Sequence, residues 1–303
     1  MIIQAESLKR LVNAILKSGG SSDDEAQVVA EHLVRSNLAG HDSHGVGMLP
    51  IYLRMLQADL LKPNQVPELF KSDGSIMMFD GKRGYGQAVG KIAMEKAIEK
   101  CRESGLVLMT LRNTHHLGRI GTYGEQSIAA GMVSLHFVNV TDHPPLVAPF
   151  RGSDARFSTN PICLAMPGTE KQPPLLLDMA TSRIALGKAR VAFNKGEVLE
   201  EGLVLDHQGE PSTDPAVMAG YIFPDREENP PLGALTPLGD YKGYGLAMFC
   251  ELLGGLLSGG GTIQPEHERQ NSIINNMFSI IIDPGKLVDV SWMQHEVEAI
   301  AAH

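Results

Sequence analysis

Apolar residues recur at helical spacing over residues 5–18 and again over 22–39, and the second run carries its own start signal. Ser22 and Glu25 match a capping box, with Ala26, Val29, Leu33 and Val34 on one face behind it. Gly40 stands where a helix stop belongs, and "LAGHDSHGVGMLP" (38–50) reads as the turn that follows. From about residue 76 the texture changes. "SIMMFDG" (75–81) and "GLVLMTLRN" (105–113) read as strands, and "GYGQAVGKIAMEKAIEKC" (84–101) as a loop entering an amphipathic helix. "GMVSLHFVNV" (131–140) alternates Val133, Leu135 and Phe137 against Ser134 and His136, the pattern of a half-buried strand. "PICLAMP", "PPLLLDMA" and "MFSIIIDP" predict further strands. Residues 244–257 are apolar on nearly all sides and predict a buried helix, while "FPDREENPPLGALTP" (223–237) predicts a loop. The class is α/β or α+β. Residues 1–75 together with 240–303 form a helix-rich part, and 76–239 a central α/β region.

Composition narrows the partners. The 303 residues are 43% hydrophobic and 20% charged, which suits a globular enzyme. A formal charge of -9 without a lysine or arginine run argues against nucleic acid and against acidic membrane surfaces. Cys101, Cys163 and Cys250 are widely spaced and form no CxxC, so neither a disulfide framework nor a cysteine-based zinc site is indicated. The start, "MIIQAESLKR", lacks the basic-then-apolar order of a signal peptide. "YGLAMFCELLGGLLSGG" is short for a bilayer span and carries Glu251. The expected location is the cytoplasm.

Several nucleotide and hydrolase motifs fail on their own demands. "GYGQAVG" (84–90) has its third glycine one residue late for a Rossmann fingerprint. "SRIALGK" matches a P-loop only at its last two residues, and no GxSxG is present. "NTHHLGRIGTYGEQ" (113–126) instead sets His115 and His116 ahead of Gly118, Gly121 and Gly124, and "HDSH" supplies His41 and His44. Four histidines could bind a metal, but no HExxH accompanies them. His41 and His115 read equally as hydrogen-bonding side chains. His44 and His116 each sit close to a glycine that lets a backbone approach a ligand, and imidazole titrates near neutral pH. Reducing a ketone with hydride leaves charge on oxygen that a positioned imidazolium can neutralise, and a neutral imidazole runs the reverse reaction. "LLLDMATSRIALGKARVA" (175–192) ends a strand at Asp178 and opens a small polar turn, Ala180, Thr181 and Ser182, suited to seating phosphate. Lys188, Arg183 and Arg190 could add charge there or form a solvated helix face, the blander reading for either arginine alone. Lys242 in "PLGDYKGYG" either opens a buried helix or meets an anionic cofactor.

Taken in order, "NLAGHDSHGVGMLPIYLRML", "NTHHLGRIGTYGEQ", "LVAPF", "STNPICLAMP", "LLLDMATSRIALGKARVA", "DPAVM" and "DYKGYGLAMFCELLGGLLSG" resemble the malate/L-lactate dehydrogenase family of NAD(P)-dependent oxidoreductases, nearest its hydroxycarboxylate dehydrogenase B branch. The resemblance covers most of residues 37–260. It implies that family's fold, a mixed sheet in a central cofactor domain with helix-rich ends rather than a Rossmann domain. It also implies a homodimer that uses NAD or NADP on a 2-oxo or 2-hydroxy acid. By resemblance His116 is the acid/base, His44 lies beside the nicotinamide, and Ser43 lies next to it. Gly118, Arg119 and Ile120 touch the cofactor, as do Leu176, Leu177, Asp178, Met179, Ala180 and Thr181, and Lys242 corresponds to the family lysine. The glycines after His116 let the chain approach the dinucleotide. Many relatives read "SHGVxR", whereas this chain has Met48, which fills an apolar pocket but cannot pair with an anion. A bulkier or aromatic substrate follows, its carboxylate held elsewhere, with Arg119 and Arg54 as candidates. The chain stops at His303 inside an expected helix, where relatives continue with a tail that could carry cofactor or dimer contacts. Two rival readings remain: a metal hydrolase built on His41, His44, His115 and His116, and a ligand-binding relative without turnover.

Overall fold

The computed structural model describes residues 3–222 and 228–303; the first residues of the expected proline-rich loop, 223–227, lie outside the described residues. Helices α1 (Ala5–Ser18) and α2 (Asp23–Leu38) pack as a pair. Half of the expected capping box forms, with Ser22 Oγ accepting from Glu25 N at 3.3 Å. The other half is replaced by Asn64, whose backbone N–H donates to the Glu25 carboxylate and whose side chain accepts from Ser22 N, each at 2.7 Å. Two single 3₁₀ turns, Asp42–His44 and Val46–Met48, then lead into α3 (Leu49–Gln57).

The sheet begins with the hairpin β1 (Glu68–Asp73) and β2 (Ile76–Asp80), followed by α4 (Gly86–Ser104) and β3 (Leu106–His115). After α5 (Gly121–Ala129) come β4 (Val133–Thr141), β5 (Ile162–Met166) and β6 (Leu175–Met179). Helix α6 (Leu186–Lys195) precedes a small sheet of β7 (Val204–Leu205), β8 (Pro211–Ser212) and β9 (Ala234–Leu235), with the short α7 (Ala219–Ile222) between the last two. Helix α8 (Tyr241–Cys250) widens into a π-helical turn (Glu251–Leu256), and β10 (Ile274–Ile282) and α9 (Val290–Ala302) complete the chain. The main sheet runs β1-β2-β3-β10-β4-β5-β6, and only β2 and β3 pair in parallel, so the class is mixed α/β. Strand β1 carries no alternation to read because every residue in it is exposed.

Three expectations change. The alternation in β4 is real but its sides are reversed: Ser134 and His136 are fully buried, and Val133, Leu135 and Phe137 only half so. His136 is acceptable inside because Ser279 and Ser134 pair its two ring nitrogens at 2.8 and 2.9 Å. The apolar helix over 244–257 is not buried all round. Its small side, including Ala247, Gly254 and Gly255, faces inward, and a Cβ at Gly254 would sit 2.9 Å from Asn139 N. Phe249 and Leu256 are left about 60% exposed on the outer side, at 61% and 60%. Nor does segment 240–303 stand apart with the N-terminal helices, because β10 is hydrogen-bonded on both sides in the main sheet. The cores divide otherwise. One lies among α1–α3 around Leu16, Leu33 and Tyr52, and one under the main sheet around Phe79, Met94 and Met277. A third lies between residues 146 and 248 around Phe157, Val204 and Met218.

Candidate active site

The three cores meet around a cavity of about 990 Å³, its open mouth included. Seven of the residues singled out from the sequence line it: Ser43, His44, Met48, His116, Gly118, Ile120 and Arg190. Most other wall residues are apolar, among them Ile51, Val138, Val140, Leu146 and Ile273.

His116 is held there by backbone geometry. Strand β3 ends at His115, and Asn276 and Asn275 of β10 accept from the backbone N–H groups of Asn113 and Leu117, each at 2.8 Å. Helix α4 presses against the same point: a Cβ at Gly86 would lie 2.5 Å from the carbonyl oxygens of both His115 and His116. The chain then turns at Gly118, whose φ of +74° favours glycine and where a Cβ would overlap His32 Nε2. Gly121 is closed in by Arg119 and Asp178, and Gly124 by Leu176, Ala165 and Cys163. These glycines are therefore required by protein packing, and only Gly118 lines the cavity.

The His116 ring is fixed from behind. Its Nδ1 lies 2.7 Å from the Tyr52 hydroxyl, which itself accepts from Gln87 Nε2 at 2.7 Å. The His44 ring stacks on it at 5.4 Å between centroids and 19° between planes, with His44 Nδ1 2.8 Å from Ser43 Oγ. Burial, reinforced by the neighbouring histidines, holds the His116 pKa well below the usual 6.5. Burial and then His41 bring His44 down to about 4. Burial also keeps the Tyr52 phenol protonated, well above its ordinary pKa. At neutral pH the pair is thus two uncharged rings, one braced by a phenol.

The remaining expected residues lie elsewhere. His115 is fully buried, edge-on to Tyr52 at 5.6 Å, and burial lowers it to about 3. Arg119 is also buried, its guanidinium 2.9 Å from Glu125 and 3.8 Å from Asp178, so it is turned away from any substrate carboxylate. Asp178 accepts from Gly121 N at 2.7 Å. Thr181 is buried with its hydroxyl on the carbonyls of Thr159 and Asn160. Leu176 packs inward at Gly124, whereas Leu177 is half exposed. Met179 and Ala180 are half-buried, Lys242 is exposed at the start of α8, and Arg54 is exposed and does not line the cavity. Among the described residues no three His, Cys, Asp or Glu side chains gather as a metal would require, and no helix is long and apolar enough to cross a membrane.

Four positions in or behind the cavity escaped the sequence reading or were undervalued by it: Tyr52, Gln87, His143 and Arg190. Tyr52 and Gln87 meet His116 only through tertiary folding. His143 lines the cavity and donates from Nδ1 to the Pro144 carbonyl at 2.8 Å, and burial lowers its pKa. Arg190, taken alone, reads as one more basic residue on a helix.

A sequence model described as malate/L-lactate dehydrogenase matches residues 3–303. An L-lactate dehydrogenase from Cupriavidus necator is 44% identical over 303 residues, covering all of this chain and 84% of the relative. Hydroxycarboxylate dehydrogenase B from Escherichia coli K12 is 45% identical over 282 residues, covering 92% of this chain and 75% of the relative. A solved structure from E. coli, provisionally a malate/lactate dehydrogenase, superimposes with a TM-score of 0.92 at 43% identity, covering all of this chain and 82% of that one.

Proposed function

The chain belongs to the malate/L-lactate dehydrogenase family, and from that membership we propose that it moves hydride between NAD(H) or NADP(H) and carbon 2 of a 2-oxo or 2-hydroxy acid, with His116 as acid/base. The observation that carries this reading is the bracing of His116: Tyr52 occupies Nδ1, which leaves Nε2 for a ligand in the cavity. A hydroxyl both donates and accepts, so Tyr52 can donate to a bare Nδ1 or accept from Nδ1–H. With the hydrogen on Nδ1 and Tyr52 accepting it, Nε2 is bare in the neutral ring and protonated in the imidazolium, and the same 2.7 Å contact holds both states.

The uncharged ring is the state suited to taking the hydroxyl proton as a 2-hydroxy acid is oxidised. In the reverse direction negative charge grows on the carbonyl oxygen, and His116 Nε2–H neutralises it. Stacked on this ring, His44 limits its rotation and closes one side of the reacting space.

The wall suits the nicotinamide end of either dinucleotide. Ile120, Val138 and Pro161 offer an apolar slot for a flat ring, and Ser158, Thr159 and Asn275 offer groups that pair with an amide. Thr181 ties this wall to the turn at Met179 and Ala180, and a Cβ at Gly243 would lie 2.6 Å from the Thr181 carbonyl oxygen. The wall thus runs on to Lys242, which would meet the anionic part. When bound, the cofactor supplies or accepts hydride. In this reading Arg119, Asp178, Leu176 and Thr181 support the cofactor turn from behind, and Leu177 lies on its outer side. Met48 and the apolar wall favour a bulky or aromatic side chain on the substrate. A homodimer belongs to the same proposal, and pairing would cover the exposed Phe249, Leu252 and Leu256.

The test follows NADH and NADPH absorbance with a panel of aromatic and aliphatic 2-oxo acids for the parent and for His116→Asn. The variant is expected to fold normally and to lose about 10²–10⁴-fold in kcat. A parent inert with both cofactors, or a variant equal to an active parent, would reject the reading. Stoichiometric zinc in protein purified without chelator would favour a hydrolase instead.

A further inference from the structure

Among the described residues that line the cavity, Arg190 alone bears a full charge. The other cations near the site are engaged or outside it: Arg119 faces Glu125 and Asp178, Arg183 pairs with Asp240 at 2.9 Å, and Arg54 does not line the cavity. Arg190 is half-buried, and among the described residues no carboxylate lies within salt-bridge distance of it. The lining histidines His44, His116 and His143 are kept neutral by burial and cannot replace it.

Its placement follows from the first turn of α6. A Cβ at Gly187 would lie 2.5 Å from Ser43 Cβ and 3.0 Å from Ser43 Cα, so the helix is pressed against the turn that carries His44. Arg190, three residues on, shares that helix face and reaches back over the turn. Its Nη2 would lie 3.4 Å from a Cβ at Gly47, next to Met48, which brings no charge to the same wall. A guanidinium half removed from water without a partner is costly, and its planar fork matches a carboxylate in two parallel hydrogen bonds.

We infer that Arg190 is the anion seat of the cavity and grips the carboxylate of the 2-oxo acid while His116 faces the carbonyl. The inference rests on the 2-oxo acid reading and adds the residue that selects acids over neutral ketones. Arg190 touches no reacting atom, so its loss weakens binding more than chemistry.

The experiment compares the parent with Arg190→Met and Arg190→Lys, using aromatic and aliphatic 2-oxo acids and their methyl esters. Calorimetry with oxamate, an unreducible 2-oxo acid analogue, runs beside it with and without NADH. Arg190→Met is expected to raise KM for the acids on the order of tenfold to a hundredfold, the size of one lost charged hydrogen bond. Its kcat should stay within a few-fold, its preference for acid over ester should vanish, and Arg190→Lys should recover part of the loss. An active parent whose Arg190→Met form keeps both KM and the acid preference overturns the seat and leaves the dehydrogenase reading standing. A parent that turns over no 2-oxo acid removes the dehydrogenase reading, and oxamate then decides on Arg190 alone. Binding that disappears in Arg190→Met supports the seat; equal binding, or none to the parent, overturns it.

Discussion

At the scale of single residues, Tyr52 decides how the candidate acid/base is presented. It is fully buried, and its hydroxyl lies between Gln87 Nε2 and His116 Nδ1. Tyr52→Phe keeps the packing but leaves two buried polar groups without a partner. The expected cost is about 1–3 kcal/mol in urea unfolding. A fall in kcat of roughly tenfold to a hundredfold should accompany it, a share of the full acid/base contribution. Steady-state rates that match the parent would show that the ring needs no brace. His44 and His116 were legible from their glycine neighbours and from the resemblance. Tyr52 was not, because its partners lie 35 and 64 positions away along the chain and a tyrosine in a helix reads first as apolar bulk. Arg119 shows the opposite limit of a motif. It sits in a motif expected to touch ligand, yet Glu125, six positions on, captures it.

At the scale of elements, period was easier to read than side. The two N-terminal helices and the strands from 75 to 180 stand where their apolar spacing predicts, but β4 presents the other face to the core. A period of two fixes which residues share a face; it does not say which face is covered once His136 and its serines satisfy one another. The helix after Lys242 makes the same point. Its glycines approach β4, which turns the leucines outward, and its widened turn points Glu251 into the protein. That carboxylate accepts from Asn139 at 3.0 Å, Asn160 at 2.8 Å and Ile263 N at 2.6 Å. Burial raises its pKa, and the hydrogen bonds oppose the rise. Glu251→Ala would leave these donors buried and unpaired, so a loss of about 3 kcal/mol or more is expected. Glu251→Gln, which keeps one acceptor oxygen, should lose less. Urea midpoints that place the two variants together would contradict this role.

At the scale of the whole molecule, the buried histidines set the response to acid. Burial lowers His32, His115 and His136 to about 3 and His44 to about 4, and it lowers His116 and His143 as well. Their folded pKa values lie below the value of about 6.5 expected in an unfolded chain. Below that pH the unfolded state takes up protons that the folded state refuses, so stability falls as pH drops from 6.5 toward 4. Glu25, Asp178 and Glu251 act in the opposite sense, since their raised values favour folding at low pH and lose that contribution as pH rises through them. Six rings outweigh three carboxylates. Calorimetry should find Tm nearly level above pH 7 and lower by at least about 5 °C between pH 6.5 and pH 4.5. A Tm independent of pH in that window would show that these rings accept protons without unfolding.

The contact between α6 and the Ser43–His44 turn has an evolutionary reading. The candidate acid/base follows the end of β3 and its phenol stands on α3, whereas the charge beside them arrives on a separate helix seated by one glycine. Substitutions within residues 186–195 can therefore change which acids are accepted while the catalytic apparatus is inherited intact, making that short helix the economical place to diversify this enzyme's diet.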